Sequence, residues 1–217
     1  MNSYPSAAKG VKKIFSAEVL QLIGTLCMSL GSVFLVITGA VAIGSVFDSI
    51  SMTTVAVFGI LGLVFTVSGA IVALIGYIFY LIGIKTAGAD ETGYNNAFWI
   101  LIISLVITVI SAFVSGTAKT ILGLFPTFLD IVALIFVVQA TERLLQSRNC
   151  TELANQGNTS LNLILIPYLA SAVLKLVTTF ISAPVVLLVL SIISLIVAIV
   201  GYVLYMSFLK KASKNLA

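Results

Sequence analysis

Residues 161–209 read LNLILIPYLASAVLKLVTTFISAPVVLLVLSIISLIVAIVGYVLYMSFL, and Lys175 is the one charge in that stretch. As an unbroken helix rising about 1.5 Å per residue, it would reach roughly 70 Å, more than twice the roughly 30 Å hydrocarbon thickness of a bilayer. One crossing is too few. Ser182-Ala183-Pro184 supplies the break, because proline disfavours helix in the residue before it. The run Val186-Leu187-Leu188-Val189-Leu190 does not alternate as a barrel strand would. Since lipid offers no hydrogen-bond partner, the backbone must satisfy itself within helices. The stretch therefore predicts two crossings, 161–182 and 184–209.

Working outward, four more apolar runs of spanning length occupy about 18–46, 53–84, 97–114 and 121–145. The expected fold is all-α: a polytopic integral membrane protein, a six-transmembrane-helix bundle forming one membrane domain over 1–217. Composition points the same way. The chain is 60% hydrophobic and 8% charged, where soluble domains carry about 25% charged residues. A soluble enzyme, a disordered tail and an ordinary nucleic-acid-binding domain are excluded on that balance, and the lipid bilayer is the expected partner.

The basic residues give the orientation. In an alternating six-span topology Lys9, Lys12, Lys13, Lys85, Arg143, Arg148, Lys210, Lys211 and Lys214 share one side, and Lys119 stands alone on the other. The positive-inside rule then places both termini in the cytoplasm, which explains the net charge of +4 without a nucleic acid. Residues 6–15 are read as a short headgroup-layer helix whose lysines mark topology, preceding an uncleaved start-transfer helix too long for a signal h-region. Asn149-Cys150-Thr151 and Asn158-Thr159-Ser160 match the glycosylation acceptor pattern, but the charge distribution keeps them inside. The lack of large loops and of a cleavable presequence points to a multi-pass protein of a bacterial plasma membrane.

Three local features carry expectations. Thr151-Glu152-Leu153-Ala154 predicts one helical turn ended by Gly157, with Ser160 capping the fifth helix. Tyr94, Phe98 and Trp99 are expected at the membrane–water boundary, and Gln139, Thr141, Glu142 and Arg143 at the inner end of the fourth helix. The second helix carries Gly62, Gly69, Gly76 and Gly83 seven residues apart. That period draws a stripe down one helix face, and missing side chains let a neighbour approach closely. The seam is read as intramolecular packing, with a homo-oligomer, a membrane-protein partner or a pore lining as its alternative uses. Its end is echoed 125 residues later: Ala73, Gly76, Tyr77, Tyr80, Lys85 and Ala87 match Ala198, Gly201, Tyr202, Tyr205, Lys210 and Ala212. Either a duplication or shared packing demands on two parallel helices account for it.

Ionisable residues inside a span are costly and usually face protein or water. Asp130 and Lys175 qualify, and are read as an ion pair bordering an outward-facing cavity to which Tyr168, behind Pro167, contributes a phenol. The chain has no histidine, removing the commonest metal ligand and neutral-pH base. Cys27 and Cys150 fall in different settings and are expected as free thiols. No catalytic constellation, metal site, phosphate-binding loop or cofactor motif is present. The sequence leaves a small non-enzymatic accessory, assembly or sensory membrane protein. The alternative is a permease, channel or substrate-binding transport subunit with its cavity near Asp130 and Lys175.

Overall fold

A computed structural model describes the backbone of residues 3–42, 52–115, 117–178 and 184–217; side chains within 40–42, 52–54, 117–121, 167–178, 184–192, 194 and 195 lie outside the described set. The described elements are helices: α1 (Pro5–Ala42), α2 (Met52–Ala87), α3 (Thr92–Ala112), α4 (Thr117–Ser147), α5 (Thr151–Thr178) and α6 (Pro184–Leu216). Among the described residues, five segments are long and apolar enough to cross a membrane: Pro5–Gly39, Val55–Ala87, Thr92–Ala112, Leu122–Ser147 and Ile196–Leu216. Length and composition thus mark a multi-pass helical membrane protein.

The helices outrun the apolar runs at one end, and each extension has a physical reason. α1 begins at Pro5, with no separate surface helix over 6–15. Proline suits the first helical position, where its missing N–H costs nothing. The Asp90 carboxylate, brought from the turn after α2, accepts the Ala7 N–H at 2.7 Å and caps α1 from outside. α5 begins at Thr151 and runs straight through Gly157, correcting the expected break there. The α4 end is closed by Asn149 at φ 60, with the Cys150 N–H reaching back to Leu145 O and the Asn149 N–H to Gln146 O. That pattern is the left-handed helix stop that asparagine tolerates. Gly157 is needed for packing: a Cβ there would lie 2.7 Å from Phe208 Cζ. Ser160 is no cap either, since its hydroxyl donates to Gln156 O within the same helix.

The chain groups into two compact units. Unit 2, residues 15–80, is an antiparallel pair made of most of α1 and α2. Small residues bring the two backbones close along this contact. A Cβ on Gly24 would fall 2.6 Å from Ala73 N and 2.7 Å from Gly69 O, and one on Gly31 2.7 Å from Gly62 O. Gly76 meets Ala17 O and Gln21 N at 3.0 Å in the same sense. Each step of seven up α1, through Ala17, Gly24 and Gly31, is therefore matched by a step of seven down α2, through Gly76, Gly69 and Gly62. Beyond Gly31 the faces widen, and Phe34 fills the gap by stacking on Phe58 and Phe65 with ring centroids 5.8 and 5.9 Å away. The outer surfaces are apolar: Leu26, Val33, Val36, Ile60, Leu63, Val64 and Leu74 are each more than half exposed. Such a two-helix pair has no use for water as a solvent.

Unit 1, residues 1–14 and 81–217, comprises the remaining helices with the first turns of α1 and the last of α2. Its buried residues gather toward the end where these segments meet: Val11, Ile14, Ile84, Tyr94, Val137, Leu145, Tyr205, Phe208 and Leu216. α4 packs on α3 and α5 and touches α6, and α5 packs on α6. A Cβ on Gly83 would fall 2.9 Å from Gly10 O and 3.0 Å from Ile14 N, one on Gly93 2.9 Å from Ala140 Cβ, and one on Gly201 3.0 Å from the Leu163 carbonyl oxygen. Each echoed pair also shares one burial class: Ala87 and Ala212 are buried, Tyr80 and Tyr205 are buried, and Lys85 and Lys210 are exposed.

A side chain at Gly69 has to push backbone apart, so Gly69→Ala is expected to cost about 1–3 kcal/mol in a detergent–denaturant unfolding titration. Gly123, with open space around its Cα, is the control: Gly123→Ala should hold or raise stability, by up to about 1 kcal/mol. Equal losses at the two positions would contradict the close approach.

Candidate functional site

Polar side chains in the described helices first satisfy themselves. Ser29, Ser32, Thr38, Thr66, Ser68, Thr86 and Thr108 each donate to the carbonyl four residues earlier. These residues are spent on their own helix. Chemistry must come from the polar groups that reach between helices, and in unit 1 these form three sets.

The first set ties the helix ends together. The Tyr4 N–H bonds Leu216 O at 3.3 Å. The Tyr4 hydroxyl lies 2.9 Å from Ser147 Oγ, and because Ser147 donates to Leu144 O, the phenol is the donor. Arg148 donates to Asn215 O, Lys211 to Gln156 Oε1 at 3.3 Å, and Arg143 meets Glu91 at 3.5 Å. The amino-terminal segment, the α2–α3 turn, the α4–α5 turn and the carboxyl-terminal segment thus meet at one end of the unit. An open depression of about 640 Å³ lies here, lined by Asn149, Thr151, Glu152, Gln156, Lys211 and Asn215 among others. Lys85 Nζ sits 5.1 Å over the Phe98 ring, a cation–π contact worth about 0.5–1 kcal/mol where exposed.

The second set is buried between α3 and α4. Tyr94 and Thr141 are both fully buried, and their oxygens lie 2.6 Å apart. Thr141 donates to Val137 O, so Tyr94 donates to Thr141. Tyr94 and Thr141 are thus part of the helix–helix contact near these helix ends, whereas Trp99 is 60% exposed. A neighbouring carboxylate oxygen, Glu142 Oε1, is buried with no hydrogen-bond partner among the described residues and faces Gly157.

The third set contains the sequence candidate Asp130. Its Oδ1 accepts a hydrogen bond from Ser104 Oγ at 2.7 Å, and the same hydroxyl lies 3.4 Å from Pro126 O. Ser104 is buried while Asp130 is exposed. Ser104 was not among the sequence candidates. A lone serine in a span is commonplace, and nothing in the sequence fixes the α3–α4 register that brings it to Asp130. Lys175 and Tyr168 stand on α5, but their side chains, and so the expected Asp130–Lys175 pair, lie outside the described residues. Gly62, Gly69 and Gly76 face α1 within unit 2, and Gly83 faces it within unit 1. The matching stripe Gly10, Ala17, Gly24 and Gly31 has the same period and was open to the same reading. Among the described residues no group of histidine, cysteine, aspartate and glutamate side chains could hold a metal ion. Cys27 and Cys150 are free thiols.

No protein-family model, curated protein or solved structure matches this chain.

Removing either oxygen of the buried Tyr94–Thr141 bond leaves a neighbour short of a partner. Tyr94→Phe and Thr141→Val are each expected to lower the unfolding free energy by about 1 kcal/mol. In the double variant the losses should fall short of additive by about 0.6 kcal/mol. Strict additivity would contradict the bond.

Proposed function

We propose that the chain is a non-enzymatic accessory, assembly or sensory membrane protein that works through the outer faces of its helices. In this reading it crosses the membrane six times, with both termini in the cytoplasm, in a bacterial plasma membrane. The supporting observation is the contact between α1 and α2. Their backbones lie against each other at Gly24, Gly31, Gly62 and Gly69, leaving no space along that contact for a solute. Apolar surface is instead turned outward, at Leu63, Val64 and Leu74 of α2 and at Trp99, Ile103 and Val109 of α3. Lipid covers such faces without preference, whereas a partner helix covers them with shape. The basic residues support the orientation. Nine of them lie on segments that a six-span topology assigns to the side of the termini, and the bonds joining Tyr4, Ser147, Arg148, Leu216 and Asn215 gather three of those segments at one end.

A transport subunit is the second reading, favoured by Asp130 in a span. Against it, Asp130 is exposed at the protein surface, and the described depression lies among the helix ends.

A photo-crosslinking residue placed in living cells at Leu63, Val67 or Leu74 tests the proposal. Discrete protein adducts of reproducible mass are expected from at least one position. Lipid adducts alone at all three, combined with solute uptake by proteoliposomes of the purified protein, would contradict it.

A further inference from the structure

The Ser104–Asp130 pair sits where a bare carboxylate is most costly. Ser104 lies eight residues before Ala112, the last residue of α3, and Asp130 thirteen residues after Thr117, the first of α4. Both therefore lie on the order of 12–20 Å inside the far ends of their helices. Around them the surface is apolar: Ile103, Val106, Leu124, Phe125 and Phe128 are all more than half exposed. Ser104, itself buried, serves one oxygen of the carboxylate from the protein side. The Asp130 side chain is nevertheless exposed, and the five exposed neighbours just named carry no polar side-chain atom. An ionisable group in that setting is rarely left to lipid; it pairs with another group.

Resting on the reading that outer helix faces are the working parts, we propose that Asp130 and Ser104 form the recognition point for a transmembrane helix of another membrane protein that carries a lysine or arginine at matching depth. Charge complementarity selects the occupant. Ser104 holds the carboxylate on the α3–α4 surface, and a cation on the incoming helix completes it. Leu124, Phe125 and Phe128 supply the apolar contact that a helix needs on either side. A neutral helix gains the apolar contact but leaves the carboxylate unanswered, so the site discriminates by what it leaves unpaired.

The test uses the full chain in lipid vesicles with two synthetic polyleucine transmembrane peptides, one bearing a single lysine at the depth of Asp130 and one without it. Association is read by fluorescence transfer. The lysine peptide is expected to bind about tenfold more tightly than the all-leucine peptide, the scale of one charge-assisted contact. Asp130→Asn, which keeps shape and can still accept from Ser104, should reduce that preference to about twofold or less, while Asp130→Glu retains most of it. Helix content and monodispersity are checked for each variant. Equal binding of the two peptides, or a preference that survives Asp130→Asn, would overturn the proposal. So would a preference appearing only in Lys175→Leu, because the chain's own lysine would then be the occupant. Failure here with in-cell protein crosslinks intact removes Asp130 from the contact; failure of the crosslinks themselves removes the reading beneath it.

Discussion

Hydrocarbon offers a polypeptide no hydrogen-bond partner, and that single constraint organises this molecule. The backbone is helical throughout the described spans. Hydroxyls are folded back onto their own carbonyls, as Ser32 is onto Met28 and Ser68 onto Val64. With no water to expel between helices, association depends on how closely backbones can come. Glycine is the residue that lets them touch, so the contact between α1 and α2 is made at Gly24 and Gly69, not by interlocking leucines. Many leucines, valines and isoleucines are turned outward, Leu26, Val36, Ile60 and Leu74 among them, where a soluble protein would expose charge.

The same constraint separates two kinds of polar group. Those near the helix ends of unit 1 bond freely between segments: Asp90 caps α1, and Tyr4 reaches Ser147 and Leu216. Where such a group is buried between helices it is paired, as Tyr94 is with Thr141. Among the described residues, Asp130 has Ser104 as its partner within the protein.

Much of the fold was readable because hydropathy and period report directly on lipid contact. Long apolar runs mark where the helices are soaked in lipid, and a seven-residue glycine period marks a face another helix can approach. Helix ends were less readable. Hydropathy reports the lipid-embedded part, whereas α5 begins ten residues before its apolar run, and α6 continues past Lys210 and Lys211 to Leu216. Gly157 looked like a stop signal and is a packing position, because the residue that needs the space, Phe208, lies on α6, far along the chain. Tyr94 looked like a boundary aromatic, and only the α3–α4 register reveals Thr141 opposite it. Sequence shows which residues are unusual for lipid, but their neighbours are set by register. The site was therefore half visible, Asp130 without Ser104.

The proposed topology puts the helix ends that carry nine of the basic residues on the cell interior and Lys119 on the other side, and native Cys150 reports on it from beside Arg148. In a Cys27→Ser background, a membrane-impermeant maleimide should leave Cys150 unlabelled in intact cells and react with it after permeabilisation. A cysteine introduced at Ser115, in the segment between α3 and α4, should label without permeabilisation. Labelling of Cys150 from outside intact cells, with Ser115→Cys protected, would contradict the arrangement.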